Sequence, residues 1–295
     1  MNPFKKPEET KFNVLNLGAG VQSSALALMA AYGDITPLPD FAVFADVGAE
    51  PDEVYEWLET LRGLINKAPH PFPIHTVRHG NLTENQLKPA VATKKAIKYE
   101  IGEKYMRRII PMFGILPDGK KTAAIGRSCT ADYKIKPIEK KIKELCKIKR
   151  GQKNITVTQW IGISWDEIQR AKEARQHWTQ LRYPLLELKM TRSKIIEWMK
   201  DRGFPNPPRS ACYYCPFHSD HEWRRMRDND PKYFNKAIEF DKKIRELGKT
   251  DRAMKMEVYL HNSCKPLDEI DFDNDEDKGQ QVWDFKAECE GMCGV

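Results

Sequence analysis

What this chain lacks narrows the reading first. No stretch of its 295 residues is long and apolar enough to span a bilayer, so no membrane partner is expected. The opening MNPFKKPEET has no apolar core of a secretory signal, and the two absences together predict a cytoplasmic protein. No internal repeat is visible, which argues against solenoids and propellers. The composition of a disordered chain is missing too: a mean hydropathy of −0.65 is polar, but hydrophobic and aromatic residues are at globular levels. The length suits one large domain, or a main domain with an appendage. Cysteine is sparse and odd in number: Cys129, Cys146, Cys212, Cys215, Cys264, Cys289 and Cys293. Without a secretion signal such thiols more often bind metal or do redox work than form structural disulfides.

Charge is present in excess, and its placement is uneven. The net charge is +7, yet residues 88–153 hold 19 Lys/Arg against 6 Asp/Glu, and residues 266–295 hold 2 against 10. The basic block points to a polyanionic partner, a nucleotide or nucleic acid. A solvated lysine-rich helix face is the plain alternative, and KIKPIEKKIKELCKIKRGQK has that look.

One local pattern is VLNLGAGVQSSALALMA, Val14 to Ala30. An apolar strand runs into Gly18, Ala19 and Gly20, and a helix-like run opens with Gln22, Ser23 and Ser24. Glycines let a backbone turn tightly and approach a ligand closely. The helix start that follows turns free N–H groups and a positive dipole end toward the same place. This suits an anion, most often a phosphate; a tight turn with capping serines is the alternative.

Residues 12–17 read as a buried strand, followed by a helix from about Gln22 to Tyr32. DFAVFADVG reads as a second strand ending at Asp46 and Gly48, and FPIHTVRHG as a third. Between them Val54, Trp57, Leu58, Leu61 and Leu64 recur at helical spacing. NITVTQWIGIS is a fourth strand, its end carrying Gly162. The alternation predicts an α/β fold: a doubly wound, mostly parallel sheet with helices on both faces, plus a smaller C-terminal helical and irregular extension. Ligands of such sheets sit at the carboxyl ends of the strands, where the glycine turn and the Asp46–Glu50 segment fall. The main domain is expected over 12–235, with 81–125 an insertion or mobile helical region turning at Pro117–Gly119. Residues 236–295 form the extension, with an acidic stretch and a cysteine-bearing tail. Further helices are predicted from Lys136 to Lys147, over TRSKIIEWMKDRGF with Thr191 as N-cap, and from Ser219 to Gly248 with a break near Pro231.

The C-x-x-C of Cys212 and Cys215 lies in the proline-rich loop PNPPRSACYYCPFH. Two intervening residues let both sulfurs face one metal or one cluster. A redox dithiol belongs at a helix start after a strand instead, and zinc is a rival for the metal that C-x-x-C by itself does not exclude. Cys129 sits in GRSCTADYKIKPIEK, where Arg127, Lys134 and Lys136 favour its thiolate. Cys146 reads as a packed small hydrophobe. His75, His79 and His177 read as structural side chains, and Trp57, Trp160 and Trp198 as packing. His218 and His221 follow the C-x-x-C closely enough to be secondary metal candidates.

In their order, these motifs resemble the PP-loop ATP pyrophosphatase superfamily (adenine nucleotide alpha hydrolase-like), and within it the phosphoadenosine phosphosulfate reductase family. The likeness covers roughly residues 12–235. GAGVQS is similar to the family's phosphate loop, FADVGAEPDEVYEW to its second-strand signature, and WIGISWDEIQR to its later strand. YPLLELKMTRSKIIEWMKDRGFPNPP resembles its following helix, and CTADYKIKP with CYYCPF its iron–sulfur cysteines. The resemblance implies ATP or a related adenine nucleotide, with magnesium, at Gly18, Ala19, Gly20, Gln22, Ser23, Ser24, Asp46, Gly48, Glu50, Arg127 and Gly162. It implies a 4Fe-4S cluster, zinc being the alternative, on Cys129, Cys212, Cys215 and Cys293 or Cys289. Asp46 and Cys289 are the residues expected to take part in the chemistry. Departures are plain: Gln22 stands where the family has an aspartate, Cys129 is followed by Thr130 and not a second cysteine, and ECEGMCG only resembles the reductases' catalytic tail.

Three functions follow as expectations. The first is nucleotide-dependent sulfur insertion into a nucleic acid or nucleotide, with a sulfur-donor protein as partner. The second is reduction of adenylyl sulfate or its 3′-phosphorylated form, with Cys289 as nucleophile and thioredoxin as partner. The third is a zinc-stabilised nucleic-acid-binding adaptor with a degenerate nucleotide site. A homodimer is among the expected assemblies.

Overall fold

Strands buried on both faces of a parallel sheet read as near-continuous apolar runs, and FNVLNL, FAVFAD and VTQWI are such runs. In the computed structural model, which describes residues 8–94 and 98–273, they form the centre of a five-stranded parallel sheet. Its strands are β1 (Phe12–Leu17), β2 (Phe41–Asp46), β3 (Ile74–Arg78), β8 (Val157–Ile161) and β9 (Thr179–Arg182), in the order β3-β2-β1-β8-β9. All four pairings are parallel; Val14 lies opposite Phe41 on one side and Gln159 on the other.

Alternate residues of each strand serve opposite layers. Leu15, Leu17, Phe44 and Trp160 face α1 (Val21–Ala31), α2 (Asp52–Asn66) and α6 (Arg192–Asp201). Val14, Val43, Ala45 and Val157 face α4 (Lys136–Leu145), through Ile138, Ile142 and the buried Cys146. The sheet is thus covered on both faces, the doubly wound arrangement expected. Helix α1 is apolar nearly all round and lies in the middle of its layer; Ser23 alone of its residues is not fully buried. Helix α2 is amphipathic instead, burying Val54, Trp57, Leu58, Leu61 and Ile65 and opening with Asp52 and Glu53 at its positive end.

A second core lies beyond the sheet. Helix α7 (Asp220–Asn229) ends before Pro231, where α8 (Pro231–Thr250) begins. Their apolar faces, with Trp223, Tyr233, Phe240 and Ile244, pack on Met106, Met112, Tyr214 and Leu260. The helical expectation for 81–125 is corrected here. Only α3 (Leu82–Leu87) is helical; β4 (Ala90–Val91) pairs with β5 (Lys104–Tyr105), and β6 (Met112–Ile115) with β7 (Lys121–Ile125). The turn at Pro117–Gly119 is the hairpin connection, closed by Leu116 N–H to the Lys120 carbonyl at 3.0 Å. Strand β10 (Glu257–Tyr259) adds to β6, so the hairpin and the C-terminal region share one antiparallel sheet. The boundary expected at 235/236 falls inside α8.

Candidate functional site

The chain leaves β1 for β2 and β3 on one side, then returns beside β1 as β8 and continues to β9 on the other. Between β1 and β8 the direction of winding reverses, and crevices at such points take ligands in open α/β sheets. The glycine loop forms one wall. Its left-handed residue is the fully buried Ala19, at φ +60°, and not either glycine. Gly20 is the N-cap of α1 and has no side chain to offer, so the first-turn N–H groups keep their positive end toward the crevice.

Gly162 forms the other wall. A Cβ there would stand 3.0 Å from both the nitrogen and the Cα of Ser23. The strand end and the first turn of α1 therefore touch backbone to backbone. Ser23 closes the loop on itself: its hydroxyl accepts from Gly18 N–H at 3.1 Å and lies 3.3 Å from the Gly20 carbonyl.

Two expected nucleotide contacts are corrected. Ser24 is fully buried and accepts from the Trp57 indole at 2.9 Å, which makes it a core partner of α2. Gln22 turns to Glu167, its amide donating to Glu167 Oε2 at 3.3 Å, while its own Oε1 is buried without a partner. Glu167, from the short 3₁₀ turn Trp165–Arg170, is buried, hydrogen-bonded by Arg170, and held above the usual carboxylate range by burial. Sequence reasoning missed Glu167 as the buried partner of Gln22, although it lies in WIGISWDEIQR.

At the end of β2, Asp46 Oδ1 accepts from Gly48 N–H at 2.7 Å and from the Tyr55 hydroxyl at 2.8 Å. Its Oδ2 faces Arg78 Nε at 3.4 Å. Both oxygens are engaged, so Asp46 braces the β2–α2 loop in this structure. Gly48 has φ +71°, and a Cβ on it would run into Arg78. Glu50, four residues past Asp46, is buried and pairs with Lys134 Nζ at 3.6 Å. Burial raises its carboxyl and Lys134 opposes the rise; its Oε2 has no hydrogen-bond partner.

Lys134 belongs to a π-type turn, Thr130–Ile135, that leads into α4, and Cys129 is its N-cap. Cys129 N–H donates to the Ile109 carbonyl at 2.9 Å, which ties this turn to the second core. The C-x-x-C loop reaches the same place by backbone pairing: Tyr213 N–H donates to the Ala49 carbonyl at 3.0 Å. Cys129 and Cys212 pack on one hydrophobic core, and the charges of Cys129, Cys215, Glu50 and Lys134 all bear on the Cys212 thiol.

The expected acidification of Cys129 is corrected. Burial pushes its thiol up, with Lys134 and then Arg127 pulling the other way. Arg127, expected at the nucleotide, stands over the Phe217 ring at 5.2 Å, on the cysteine side. The Cys212 carbonyl accepts from Cys215 N–H at 2.9 Å and lies 2.9 Å from His218 Nε2. His218 is thereby a buried brace of the loop, held neutral with its pKa lowered to about 3 by burial. Among the described residues no three His, Cys, Asp or Glu side chains form a ready ion site. Cys289 and Cys293 lie outside the described residues. Thiols are the donor type of a thiolate-held cluster, and the half-buried Lys134 lies near them.

An open cleft of about 520 Å³ lies between the Asp46–Asp52 segment, α3 and α8. Asp46, Gly48 and Glu50 line it from one side, Tyr213 from the C-x-x-C, and Tyr233 and Lys236 from α8.

In comparisons with protein-family models, with curated proteins and with solved structures, nothing matches this chain. Fold and site together define a doubly wound α/β protein with its switch point between β1 and β8, and with Cys129 and Cys212 packed on the neighbouring second core. No helix among the described residues is long and apolar enough to cross a membrane.

Proposed function

We propose that this chain is an adenine-nucleotide-dependent sulfur-transfer enzyme that acts on a nucleic acid or nucleotide and uses an iron–sulfur cluster. The observation that carries the reading is that Cys129 and Cys212, from segments far apart in the chain, pack on one hydrophobic core, with the charges of Cys129, Cys215, Glu50 and Lys134 all bearing on the Cys212 thiol. Their place lies one loop from the strand end bearing Asp46. A thiol site next to a phosphate-suited crevice is what coupled activation and sulfur transfer requires.

In this reading a substrate oxygen attacks the α-phosphorus of ATP and pyrophosphate leaves. Sulfide then takes the place of that oxygen, which departs on AMP. The first-turn N–H groups of α1 bind phosphate, and Gly162 keeps side-chain atoms out of the crevice. Lys134 keeps positive charge next to the thiols. Cys129, Cys212 and Cys215 would hold the cluster, which when bound supplies a soft, redox-capable centre.

The test is protein purified without air, analysed for iron and labile sulfide, with pyrophosphate release from ATP followed in parallel. Expected are iron, sulfide and broad visible absorption, lost in Cys129→Ala and Cys215→Ala. A colourless zinc protein would overturn the cluster.

One observation favours a second reading. The side chains of Gln22 and Ser24 are turned into the protein, as a nucleotide site that has lost its chemistry would allow. A nucleic-acid-binding adaptor on structural zinc predicts zinc, nucleic-acid binding and no pyrophosphate.

A further inference from the structure

We propose that the cleft beside the thiol site seats the acceptor nucleotide, with its base stacked on Tyr213, the N–H edge of the base on Glu50, and phosphate on Lys236 and Lys243 of α8. The name "acceptor" rests on the sulfur-transfer reading; the binding assignment stands on the cleft alone.

Three observations carry it. First, Tyr213 is an aromatic wall with little freedom. Its backbone is pinned to Ala49, its ring lies 4.8 Å edge-on from Tyr214 and 5.4 Å from Tyr233, and it lines the cleft while half-buried. Aromatic rings so placed stack any base. Second, the pinning puts Tyr213 beside Glu50, whose Oε2 is buried and has no hydrogen-bond partner. A buried acceptor left open is costly unless a donor reaches it. The amino or imino edge of a base supplies such a donor, in the way carboxylates read cytosine N4. Third, Lys236 and Lys243 are exposed on one stripe of α8 at the mouth of the cleft, about 10 Å apart along the helix. Lys236 is held over the Tyr233 ring at 4.6 Å.

Charge sets the size of the ligand. Three carboxylates of the cleft face cations: Asp46 faces Arg78, Glu50 faces Lys134, and the exposed Asp52 faces Lys232 at 2.6 Å. Glu84 and Glu239 stay exposed on the rim. Two lysines seven residues apart can meet one or two phosphates, and the two rim glutamates leave no surplus of positive charge for a duplex backbone. The ligand is therefore a free nucleotide or one nucleotide of a single strand.

The experiment is fluorescence anisotropy of a short labelled single-stranded oligonucleotide on the full chain, without ATP, with unlabelled nucleoside monophosphates as competitors. Wild type is expected to bind, and Tyr213→Phe to bind equally. Tyr213→Leu should weaken binding tenfold or more, within the range of about 1–3 kcal/mol lost per unstacked base. The double variant Lys236→Glu/Lys243→Glu should weaken it and reduce the salt slope by about 1–2. Both lysines are exposed, so a melting curve like that of the wild type shows that the variant is folded. Monophosphates that displace the oligonucleotide at comparable concentration assign the cleft to a free nucleotide; oligonucleotide binding that they leave intact assigns it to a single strand. No binding of either ligand, or binding unchanged in the Tyr213→Leu and lysine variants, overturns the proposal. Intact cleft binding in a wild type that releases no pyrophosphate overturns the sulfur-transfer reading and leaves the cleft assigned.

Discussion

Replacing Gly162 by alanine adds one methyl group at the narrowest place in the crevice. The new Cβ would stand 3.0 Å from Ser23 N and Cα, and 3.3 Å from the Gln22 carbonyl carbon. Carbon atoms rest comfortably at about 3.5–4.0 Å, so the first turn of α1 has to retreat by about 0.5 Å. It has nowhere to go, because α1 is buried along nearly its whole length between the sheet, α2 and α6. All three neighbours are backbone atoms, which no rotamer change can move aside. Overpacking of this kind costs about 1–3 kcal/mol, or roughly 2–10 °C in Tm for a domain of this size. Gly63→Ala is the matched control. Gly63 lies within α2, and a Cβ there meets nothing within 4 Å, so alanine should stabilise by about 0.5–1 kcal/mol. Thermal melts followed by circular dichroism on both variants decide the matter. Gly162→Ala melting at or above the wild type would refute the packing of α1 against the end of β8.

Ser24→Ala should cost about 1–3 kcal/mol by leaving the buried Trp57 indole N–H unpaired, with nucleotide affinity measured by equilibrium dialysis unchanged. Lys134→Met should destabilise by about 3 kcal/mol at neutral pH, since it strands the buried Glu50 carboxylate. Burial already holds Glu50 above its ordinary 4.5, and losing the lysine raises it further. Its charged form is then the destabilising one, so urea titrations should show the deficit shrinking as pH falls toward 4.5 and growing as pH rises. Cys146, buried and pushed up to about 12, should resist iodoacetamide in the native protein and react on unfolding. Its folded-state proton is retained while the unfolded chain loses it above the ordinary value of 9.0. Stability should therefore fall with pH between those values, and Cys146→Ala should fall less steeply by one proton.

The sheet was readable because buried parallel strands carry their signal locally, as in FAVFAD. The glycine loop was readable as a strand-to-helix turn but not residue by residue. Ser23 and Ser24 are neighbours on a helix, about 100° apart, so they point in different directions. A helix with a polar face reveals its phase; α1, apolar nearly all round, does not. Cationic neighbours of Cys129 are visible in GRSCTADYK, whereas the burial that outweighs them is a tertiary property. The β6–β10 pairing joins short strands some 140 residues apart, and nothing in either segment announces the other. That Cys129 and Cys212 share one core is a tertiary fact; the sequence offered only their polar, glycine- or proline-marked settings and the ordered motif resemblance.

The separation of those thiols along the chain also has a consequence in time. At about 5–20 residues per second, Cys215 leaves the ribosome roughly 4–17 s after Cys129. The core on which Cys129 and Cys212 rest includes Leu260, Leu267 and Phe272, which emerge later still. The α/β sheet, complete by Arg182, can form while the thiol site is half synthesised. Anything loaded onto these cysteines together is thus loaded onto a nearly finished chain, and a chain halted after Arg182 but before Cys212 would carry the sheet strands and Cys129 without its partners.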